Sequence, residues 1–387
     1  MTDGKHRKSQ ILVVDDNEFN RELLLQDLED QGYIVTEAEN GPVALELIAR
    51  TPPDMVLLDV MMPGMSGLEV CQRLRADPKT HDLPVIMVTA RSDSQDVVAG
   101  LRAGANDYVT KPIDLDVLLA RIETHTRLRA LQIESQRQNE RIRRDLEAAR
   151  RMQESLVPGP ERLADLPDAY GIRLAAVWKP CETLCGDYWD VVSLADGSLG
   201  IIVADFPGSG VVPSLYTFRL KTLLQTQLPA MTNALLAMAR INSHLCSILS
   251  EWDIALGTYL RYAPDQRQLT VIGGGLPAPT IYRAAGGECE RIQASGPPLG
   301  AFADAAFSEV TVALEPGDRV LICTNGLMRP EAESYLGDTH RIFRQAGQSS
   351  APEIVRAISS ILPTNGNGGG SLALTDDVTS LVLEVVD

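Results

Sequence analysis

Short apolar runs alternate with amphipathic segments through the first 125 or so residues of the chain. The apolar runs are Ile11–Val14, Met55–Leu58, Pro84–Val88 and Tyr108–Val109. Between them, apolar side chains recur at helical spacing in Glu18–Gln31, Pro42–Ala49, Gly67–Arg75 and Ser94–Ala103. This alternation predicts a small α/β domain built on a doubly wound parallel sheet.

A long segment without glycine or proline follows, from about Leu118 to Leu156. Its apolar positions are Leu128, Leu131, Ile142, Leu146, Ala149 and Leu156. This spacing predicts a long helix with an apolar stripe, which Pro158 and Pro160 would end. The stripe is interrupted by polar residues at Ser135, Gln138 and Asn139, where a strong coiled coil has apolar ones. The segment therefore predicts either a weakly dimerising signalling helix or a solvated spacer.

The pattern changes again from about residue 170. Apolar runs typical of strands occur at Leu199–Ala204, Ala255–Tyr262, Leu269–Ile272, Thr280–Arg283, Arg319–Cys323 and Leu381–Val386. They surround one helical block, Pro213–Ser250, and Asn365–Gly370 reads as a flexible loop before the last strand. This predicts an α+β domain. The resulting division is a first domain at 1–125, a helical linker at 126–157 and a second domain at 158–387.

Composition narrows the range of partners and locations. The chain has 387 residues, which suits two domains, and its 52 acidic against 35 basic residues give a net charge of −17. Such a charge repels nucleic acid and anionic lipid, so we expect neither as a partner. A DNA-binding output is also disfavoured because no basic helix-turn-helix is visible. Six scattered cysteines indicate a reducing compartment, and without a long apolar run we expect a cytoplasmic protein with no signal peptide or membrane span.

Three carboxylates follow strands of the first predicted domain. Asp15 and Asp16 end the first strand, and Asp59 ends the third. The carboxyl ends of parallel strands share one edge of the sheet, so these side chains are expected to converge there. Clustered carboxylates repel one another unless a hard cation binds, and Mg²⁺ is the natural choice.

Two further polar residues end the next strands of that sheet. Thr89 ends the fourth strand, and Lys111 ends the fifth. A hydroxyl and an ammonium group aimed at Asp59 would bind the oxygens of a phosphoryl group placed on it. Each residue alone is compatible with an ordinary surface turn. All five residues in this order predict a phosphorylation site.

Residues 10–125 resemble the receiver domain of bacterial response regulators, which has a flavodoxin-like fold. The matching strings are ILVVDD, LLDVMMPGMSG, VIMVTA and DYVTKP. The resemblance implies that a sensor histidine kinase phosphorylates Asp59 and that Thr89 and Tyr108 form a switch pair.

The same resemblance implies a set of Mg²⁺ ligands. Asp16, Asp59 and the carbonyl of Met61 would hold the ion, and Asp15 would assist through water.

The second predicted domain also carries separated aspartates. Asp187 lies in CGDYWD, Asp205 in VADFPGSG and Asp376 in TDDVTSLVLEV. Aspartates from distant segments are what a binuclear Mg²⁺ or Mn²⁺ site requires, and such a site hydrolyses phosphate esters. Taken singly, an aspartate with glycine or asparagine nearby is usually part of a turn.

Residues from about 149 to 387 resemble the sporulation and stress branch of the metal-dependent, type 2C protein serine/threonine phosphatases, which are αββα sandwiches. The strings that match in order are ARRMQESLVP, CGDYWD, VADFPGSGVVPSLYTFRLKTL, GPPLGAF, LEPGDRVLICTNGL and DDVTSLVLEV. The resemblance implies that Asp205 bridges two metal ions and that the Phe206 carbonyl binds one of them. Asp187 would support the metal site, partly through metal-bound water. Asp376 would bind the second ion together with residue 325.

Several departures from the family pattern fall on this implied site. Asn325 stands where the family has aspartate, which removes a negative charge beside a dication and should weaken the second metal. The loop Pro207–Gly210, the Cys185-Gly186 pair and the segment Gly273–Leu276 also differ from the family pattern.

Two functions therefore remain open for the second domain. The first is an active phosphatase, controlled by Asp59, that acts on a phosphorylated regulatory protein of the anti-sigma-antagonist type. The second is a degenerate pseudo-phosphatase that serves as a phosphorylation-switched, protein-binding adaptor. In either case the linker favours a homodimer.

Overall fold

The computed structural model describes residues 9–90, 94–327, 335–345, 349–363 and 374–386. The chain forms two compact units, one reaching to Ile142 and the other starting at Arg143. This division falls within a helix, and the predicted domain limits stay a prediction.

The N-terminal unit alternates strands and helices. Its elements are β1 (Gln10–Val14), α1 (Glu18–Asp30), β2 (Ile34–Ala38), α2 (Gly41–Arg50), β3 (Met55–Asp59), α3 (Gly67–Ala76), β4 (Val85–Thr89), α4 (Ser94–Arg102) and β5 (Asp107–Thr110). The strands pair in parallel in the order β2-β1-β3-β4-β5. An apolar layer covers each face of the sheet. The predicted doubly wound, flavodoxin-like fold is confirmed.

Helix α5 (Leu115–Glu154) is 40 residues long, as the absence of glycine and proline predicted. Near its start, Leu118 and Ile122 are fully buried in the N-terminal unit. Farther along, Leu128 and Leu131 are 52% and 60% exposed. The helix ends four residues before Pro158. Whether the exposed stripe pairs with a second copy stays a prediction.

The C-terminal unit begins with two short helices and ends with a long strand. Its elements are α6 (Pro160–Ala164), α7 (Leu166–Tyr170), β6 (Ile172–Lys179), β7 (Asp187–Ser193), β8 (Leu199–Asp205), α8 (Val211–Gln227), α9 (Ala234–Ile248), β9 (Leu256–Ala263), β10 (Gln268–Gly274), β11 (Thr280–Arg283), β12 (Glu288–Arg291), β13 (Val310–Ala313), β14 (Arg319–Cys323), α10 (Tyr335–Gln345), α11 (Ala351–Ile361) and β15 (Val378–Val385).

These strands form two five-stranded sheets, in the orders β13-β10-β9-β8-β7 and β12-β11-β14-β15-β6. The apolar side chains of both sheets meet in a common core between them. Helices α8 and α9 cover the outer face of the first sheet, and α10 and α11 cover the outer face of the second. The predicted αββα sandwich is confirmed.

Some local predictions differ from the structure for identifiable reasons. The predicted helical block Pro213–Ser250 is two helices, because a 3-10 turn at Leu228–Ala230 contains Pro229, whose nitrogen carries no hydrogen. Strand β7 was not predicted, because the buried aspartates Asp187 and Asp190 interrupt its apolar pattern. The loop predicted at Asn365–Gly370 lies outside the described residues. Among the described helices, none is long and apolar enough to span a membrane.

Candidate functional site

The carboxyl edge of the parallel sheet brings three predicted residues together. Ligand oxygens of Asp15, Asp16 and Asp59 lie within 4.8 Å of one another. Asp15 and Asp59 are buried, whereas Asp16 is exposed to solvent. Oxygen ligands crowded this closely, with one side open to water, fit a hard divalent cation such as Mg²⁺.

Lys111 closes this carboxylate cluster from the end of β5. Its Nζ donates hydrogen bonds to Asp15 Oδ2 at 2.7 Å and to Asp59 Oδ1 at 3.1 Å. Burial raises the pKa of Asp59. The positive charge of Lys111 lowers this pKa and the negative charge of Asp15 raises it, and the net effect is a raised pKa. Burial lowers the pKa of Lys111, but the two carboxylates outweigh it and leave that pKa raised. Lys111 is therefore cationic at neutral pH and is in place to stabilise negative charge on Asp59.

The other predicted residues of the N-terminal unit are Thr89 and Tyr108, which lie on strands, and Met61, which lies in the loop after β3. Thr89 is buried at the end of β4, the strand paired with β3. Tyr108 is half-buried on β5, with the Arg121 guanidinium 5.6 Å from its ring centre. The Met61 side chain is exposed, and the predicted metal ligand at this position is the backbone carbonyl. Their predicted roles in the switch and in metal binding stay predictions.

In the C-terminal unit, strand pairing sets Asp187 opposite Asp205. The two residues are cross-strand partners at the start of β7 and the end of β8, and both are buried. Asp376 precedes β15 in the other sheet and is half-buried. The three carboxylates are more widely spread than those of the N-terminal unit, which form the only group of three within 4.8 Å among the described residues.

Two threonines fix the orientation of Asp187. Its Oδ2 accepts hydrogen bonds from Thr324 Oγ1 at 2.8 Å and from Thr379 Oγ1 at 2.7 Å. Its Oδ1 is buried and has no partner in the part of the chain that the structure describes. Burial raises the pKa of Asp187 well above its usual value, and the nearby Asp205 raises it further. One oxygen is thus held while the other is left open to a ligand.

Asp205 and Asn325 are also held by a hydrogen bond, while one side-chain oxygen of each has no partner among the described residues. The Asn325 side chain hydrogen-bonds the Asp205 carboxylate. Burial raises the pKa of Asp205 to about 7, and Asp376 and Asp377 add to the effect. Asp205 Oδ2 and Asn325 Oδ1 are buried oxygens without a partner among the described residues.

Together with Asp187 Oδ1, these atoms make three buried oxygens without a described hydrogen-bond donor. A buried polar atom without a partner is costly, and a group of acceptors with no donor is the arrangement that a cation satisfies. The residues present therefore fit a divalent metal ion.

Asp377 was not singled out by the sequence, yet it organises the site. It is buried, its Oδ1 accepts from the Cys181 backbone N–H at 2.8 Å, and its Oδ2 accepts from the Gly186 N–H. It therefore ties the loop before β7 to the loop before β15. In the sequence it is one of two adjacent aspartates, and nothing local distinguishes the structural one from Asp376.

Gln153 was also missed. It lies in the last turn of α5 and is buried, although most of that helix is exposed. Its amide donates to the Cys185 carbonyl and accepts from the Cys185 N–H at 3.0 Å. It also donates to Thr217 Oγ1 on α8 at 3.3 Å. The end of the helix is thus hydrogen-bonded to the residue two positions before Asp187.

Two glycines, Gly186 and Gly326, allow the loops around the C-terminal site to approach one another closely. A Cβ atom on Gly186 would lie 2.4 Å from the carbonyl oxygen of Phe206, and one on Gly326 would lie 1.7 Å from that of Asp377. Real Cβ atoms do not approach backbone oxygens so closely, so both positions require glycine. The Phe206 backbone therefore passes directly beside the Gly186 turn that leads into Asp187.

Two family models match separate segments of the chain. Residues 11–123 match the model of the response regulator receiver domain, and residues 195–386 match that of Stage II sporulation protein E (SpoIIE).

Relatives align with the N-terminal unit. The chain is 48% identical over 132 residues to the response regulator PleD of Caulobacter vibrioides, covering 34% of this chain and 29% of PleD. It is 50% identical over 113 residues to the response regulator MprA of Mycobacterium leprae, covering 29% of this chain and 49% of MprA. The chain thus spans less than half the length of either relative.

A solved structure matches the C-terminal unit. The SiaA-PP2C domain of Pseudomonas aeruginosa superposes with a TM-score of 0.53 at 20% identity, covering 64% of this chain and 98% of that domain. At this identity the likeness shows a shared fold.

Proposed function

We propose that this chain is a response regulator in which phosphorylation of Asp59 controls a metal-dependent protein serine/threonine phosphatase. The matches of residues 11–123 to the receiver domain and of residues 195–386 to SpoIIE support this proposal. A sensor histidine kinase would supply the phosphoryl group. Lys111 and Thr89 would bind its oxygens once it is on Asp59, and Mg²⁺ at the Asp15, Asp16 and Asp59 cluster would offset its charge.

The observation that carries the phosphatase proposal is the set of three buried oxygens on Asp187, Asp205 and Asn325 that have no hydrogen-bond partner among the described residues. A Mn²⁺ or Mg²⁺ ion held there would polarise a phosphate ester and activate water for its hydrolysis. Thr324 and Thr379 keep the Asp187 carboxylate oriented before any ligand arrives. Asp376 and the Phe206 carbonyl would complete the set.

The proposed substrate is a phosphorylated regulatory protein of the anti-sigma-antagonist type. The match to the SpoIIE family supports a protein substrate over a small metabolite. The net charge of −17 supports the same choice over nucleic acid, because an acidic protein repels phosphate backbones.

Control would reach the phosphatase site through α5. We expect phosphorylation to change how two receivers pair in a homodimer and so to twist or shift this helix. Gln153 holds both backbone groups of Cys185, so a movement of the last turn of α5 would displace the loop that carries Asp187. Coupling of this kind needs an element with two arrangements that both ends can bias.

One observation favours a second candidate function, a phosphorylation-switched adaptor without catalysis. The Asn325 amide donates a hydrogen bond to the Asp205 carboxylate and so stabilises its negative charge, as a second metal ion would also do. A neutral amide also binds a dication less strongly than a carboxylate does. The domain would then bind its partner protein without hydrolysing the phosphate.

Hydrolysis of p-nitrophenyl phosphate by the full-length chain, measured across a Mn²⁺ titration, separates the two functions. The natural chain is compared with Asn325→Asp, and Asp205→Asn serves as the inactive control. Similar rates for the natural chain and Asn325→Asp support the phosphatase. Activity in Asn325→Asp alone supports the adaptor, and a rate unaffected by Asp205→Asn rules out this site as the source of activity.

A further inference from the structure

A cavity of about 310 Å³ lies beside the candidate metal site of the C-terminal unit and is partly lined by Asn325. The loop Leu276–Ala278, which follows β10, gives it an apolar lining. Arg291 at the end of β12 and His340 on α10 give it a polar one. Small-molecule sites start at roughly this volume, so the cavity has room for one or two side chains rather than a large cofactor.

The polar lining carries positive charge on Arg291, in contrast to the neighbouring carboxylates of the candidate metal site. Arg291 is exposed, and within the described ranges neither it nor Arg344 forms an ion pair. Burial lowers the pKa of His340, and Arg291 and Arg344 lower it further. His340 is therefore a neutral hydrogen-bonding group at neutral pH, and the positive charge beside the cavity comes from the two arginines.

Strand pairing holds the cationic lining in place. Arg291 is the cross-strand partner of Thr280 in the β11–β12 pair. The hydroxyl of Thr280 lies 3.4 Å from His340 Nε2. One position in the sheet thus places both the arginine and the histidine, so the lining is organised before a ligand binds.

We propose that this cavity binds an acidic side chain next to the phosphorylated residue of the protein substrate. The inference rests on the proposed function and adds a specificity determinant to it. The phosphate would lie at the Asp187, Asp205 and Asn325 site, and the neighbouring carboxylate would pair with Arg291. Arginine suits this role because its planar group binds a carboxylate through two hydrogen bonds. The apolar loop would pack against the methylene groups of a glutamate.

Three phosphoserine peptides that differ only in the residue beside phosphoserine, which is Glu, Gln or Lys, test the proposal. Their Kd values for the full-length chain are measured in Mn²⁺ by fluorescence anisotropy, alongside phosphate release. The natural chain is expected to bind the Glu peptide about tenfold more tightly than the Lys peptide, equivalent to about 1.4 kcal/mol.

Charge reversal at Arg291 provides the decisive comparison. Arg291→Glu should invert the preference in favour of the Lys peptide, and Arg291→Ala should remove it. Arg356→Glu, the same charge change at an exposed position on α11, should leave the preference as it is in the natural chain. A folding defect in Arg291→Glu would weaken the binding of all three peptides alike, so it would not invert the preference between the Glu and Lys peptides.

The outcomes separate this inference from the phosphatase proposal. If no peptide is hydrolysed but the preference for Glu exists and inverts in Arg291→Glu, the subsite stands without catalysis. If the peptides are hydrolysed with no preference, or with one that Arg291→Glu leaves intact, the subsite is wrong and the phosphatase stands. If none of the peptides binds, the subsite proposal is overturned.

Discussion

At the scale of single residues, Asp377 holds the shape of the phosphatase-type site rather than its chemistry. Both of its oxygens accept backbone hydrogen bonds, from Cys181 and from Gly186. We predict that Asp377→Ala lowers the free energy of unfolding of the C-terminal unit by roughly 3 kcal/mol, because two buried N–H groups lose a charged acceptor.

Urea unfolding followed by tryptophan fluorescence measures this loss selectively, since Trp178, Trp189 and Trp252 all lie in the C-terminal unit. Asp376→Ala is the matched control. Asp376 is half-buried and its side chain accepts from the Asp377 N–H, so a smaller loss is expected. Equal losses for the two variants would contradict the structural role of Asp377.

The sequence predicted which side chains come together in the N-terminal site better than in the C-terminal site, because the N-terminal residues end parallel strands. Asp15, Asp16 and Asp59 could be placed together because parallel strands share a carboxyl edge. Asp377 could not be separated from Asp376, because the path of the loop before β15 decides which carboxylate turns inward. Thr324 and Thr379 were equally hidden, because their hydroxyls meet Asp187 only when two distant strands pair.

At the scale of elements, helix α8 is joined to strand β7 by a buried ion pair. Lys221 Nζ lies 2.8 Å from Asp190 Oδ2, and the Asp190 side chain is only 1% exposed. Tyr188 donates a further hydrogen bond to the same oxygen. We predict that Lys221→Met destabilises the C-terminal unit by roughly 3–5 kcal/mol, because it leaves a buried carboxylate without its counter-charge.

The double variant Asp190→Asn/Lys221→Met is the control for this prediction. It removes both charges, so most of the lost stability should return when unfolding is followed by the same fluorescence signal. If the double variant were as unstable as Lys221→Met, the loss would come from packing of the lysine side chain and not from the ion pair.

The end of α5 supports a second prediction about elements. Gln153→Ala removes the partners of both backbone groups of Cys185, which frees the loop leading to Asp187. We predict that it weakens Mn²⁺ binding to the C-terminal unit several-fold, because the site is no longer organised before the metal arrives. Isothermal titration of Mn²⁺ measures this in an Asp59→Asn background, which weakens the competing receiver site.

Gln138→Ala is the matched control on the same helix. Gln138 is exposed, and its described side-chain hydrogen bond goes to Glu134 one turn away. Unchanged Mn²⁺ affinity is expected for this variant. If Gln153→Ala also bound Mn²⁺ as the natural chain does, the contact with Cys185 would not govern the metal site.

Sequence patterns found α5 but not its contact with the site. The length of the helix follows from a run without glycine or proline, a local property. The burial of Gln153 depends on a loop 32 positions away, and its neighbours Arg151 and Glu154 are exposed like most of the helix. Buried polar strand residues such as Asp187 and Asp190 likewise broke the apolar pattern that would have revealed β7.

At the scale of the whole molecule, a net charge of −17 is carried by two compact units, and one helix continues across the division between them. We predict that acetyl phosphate with Mg²⁺ shifts the full-length chain toward a dimer, because phosphorylation changes the receiver surface and the stripe on α5 adds weak pairing. Sedimentation velocity measures the shift, and Asp59→Asn should not respond.

The contribution of the helix to this dimer can be measured separately. Leu131→Glu places a charge on the exposed stripe and should weaken the phosphorylated dimer. Arg137→Glu, a charge change on the same helix outside the apolar positions, is the control. A dimer as strong in Leu131→Glu as in the natural chain would assign the pairing to the receivers alone.

The contrast between Asn325 and its glycine neighbours also has an evolutionary consequence. Asparagine and aspartate codons differ by one base, so the charge of the phosphatase-type site lies a single point mutation away in either direction. Gly186 and Gly326 have no such freedom, because any side chain would collide with a backbone oxygen. If the proposed metal site is correct, a single substitution at Asn325 changes its affinity for metal without altering the backbone that holds the site.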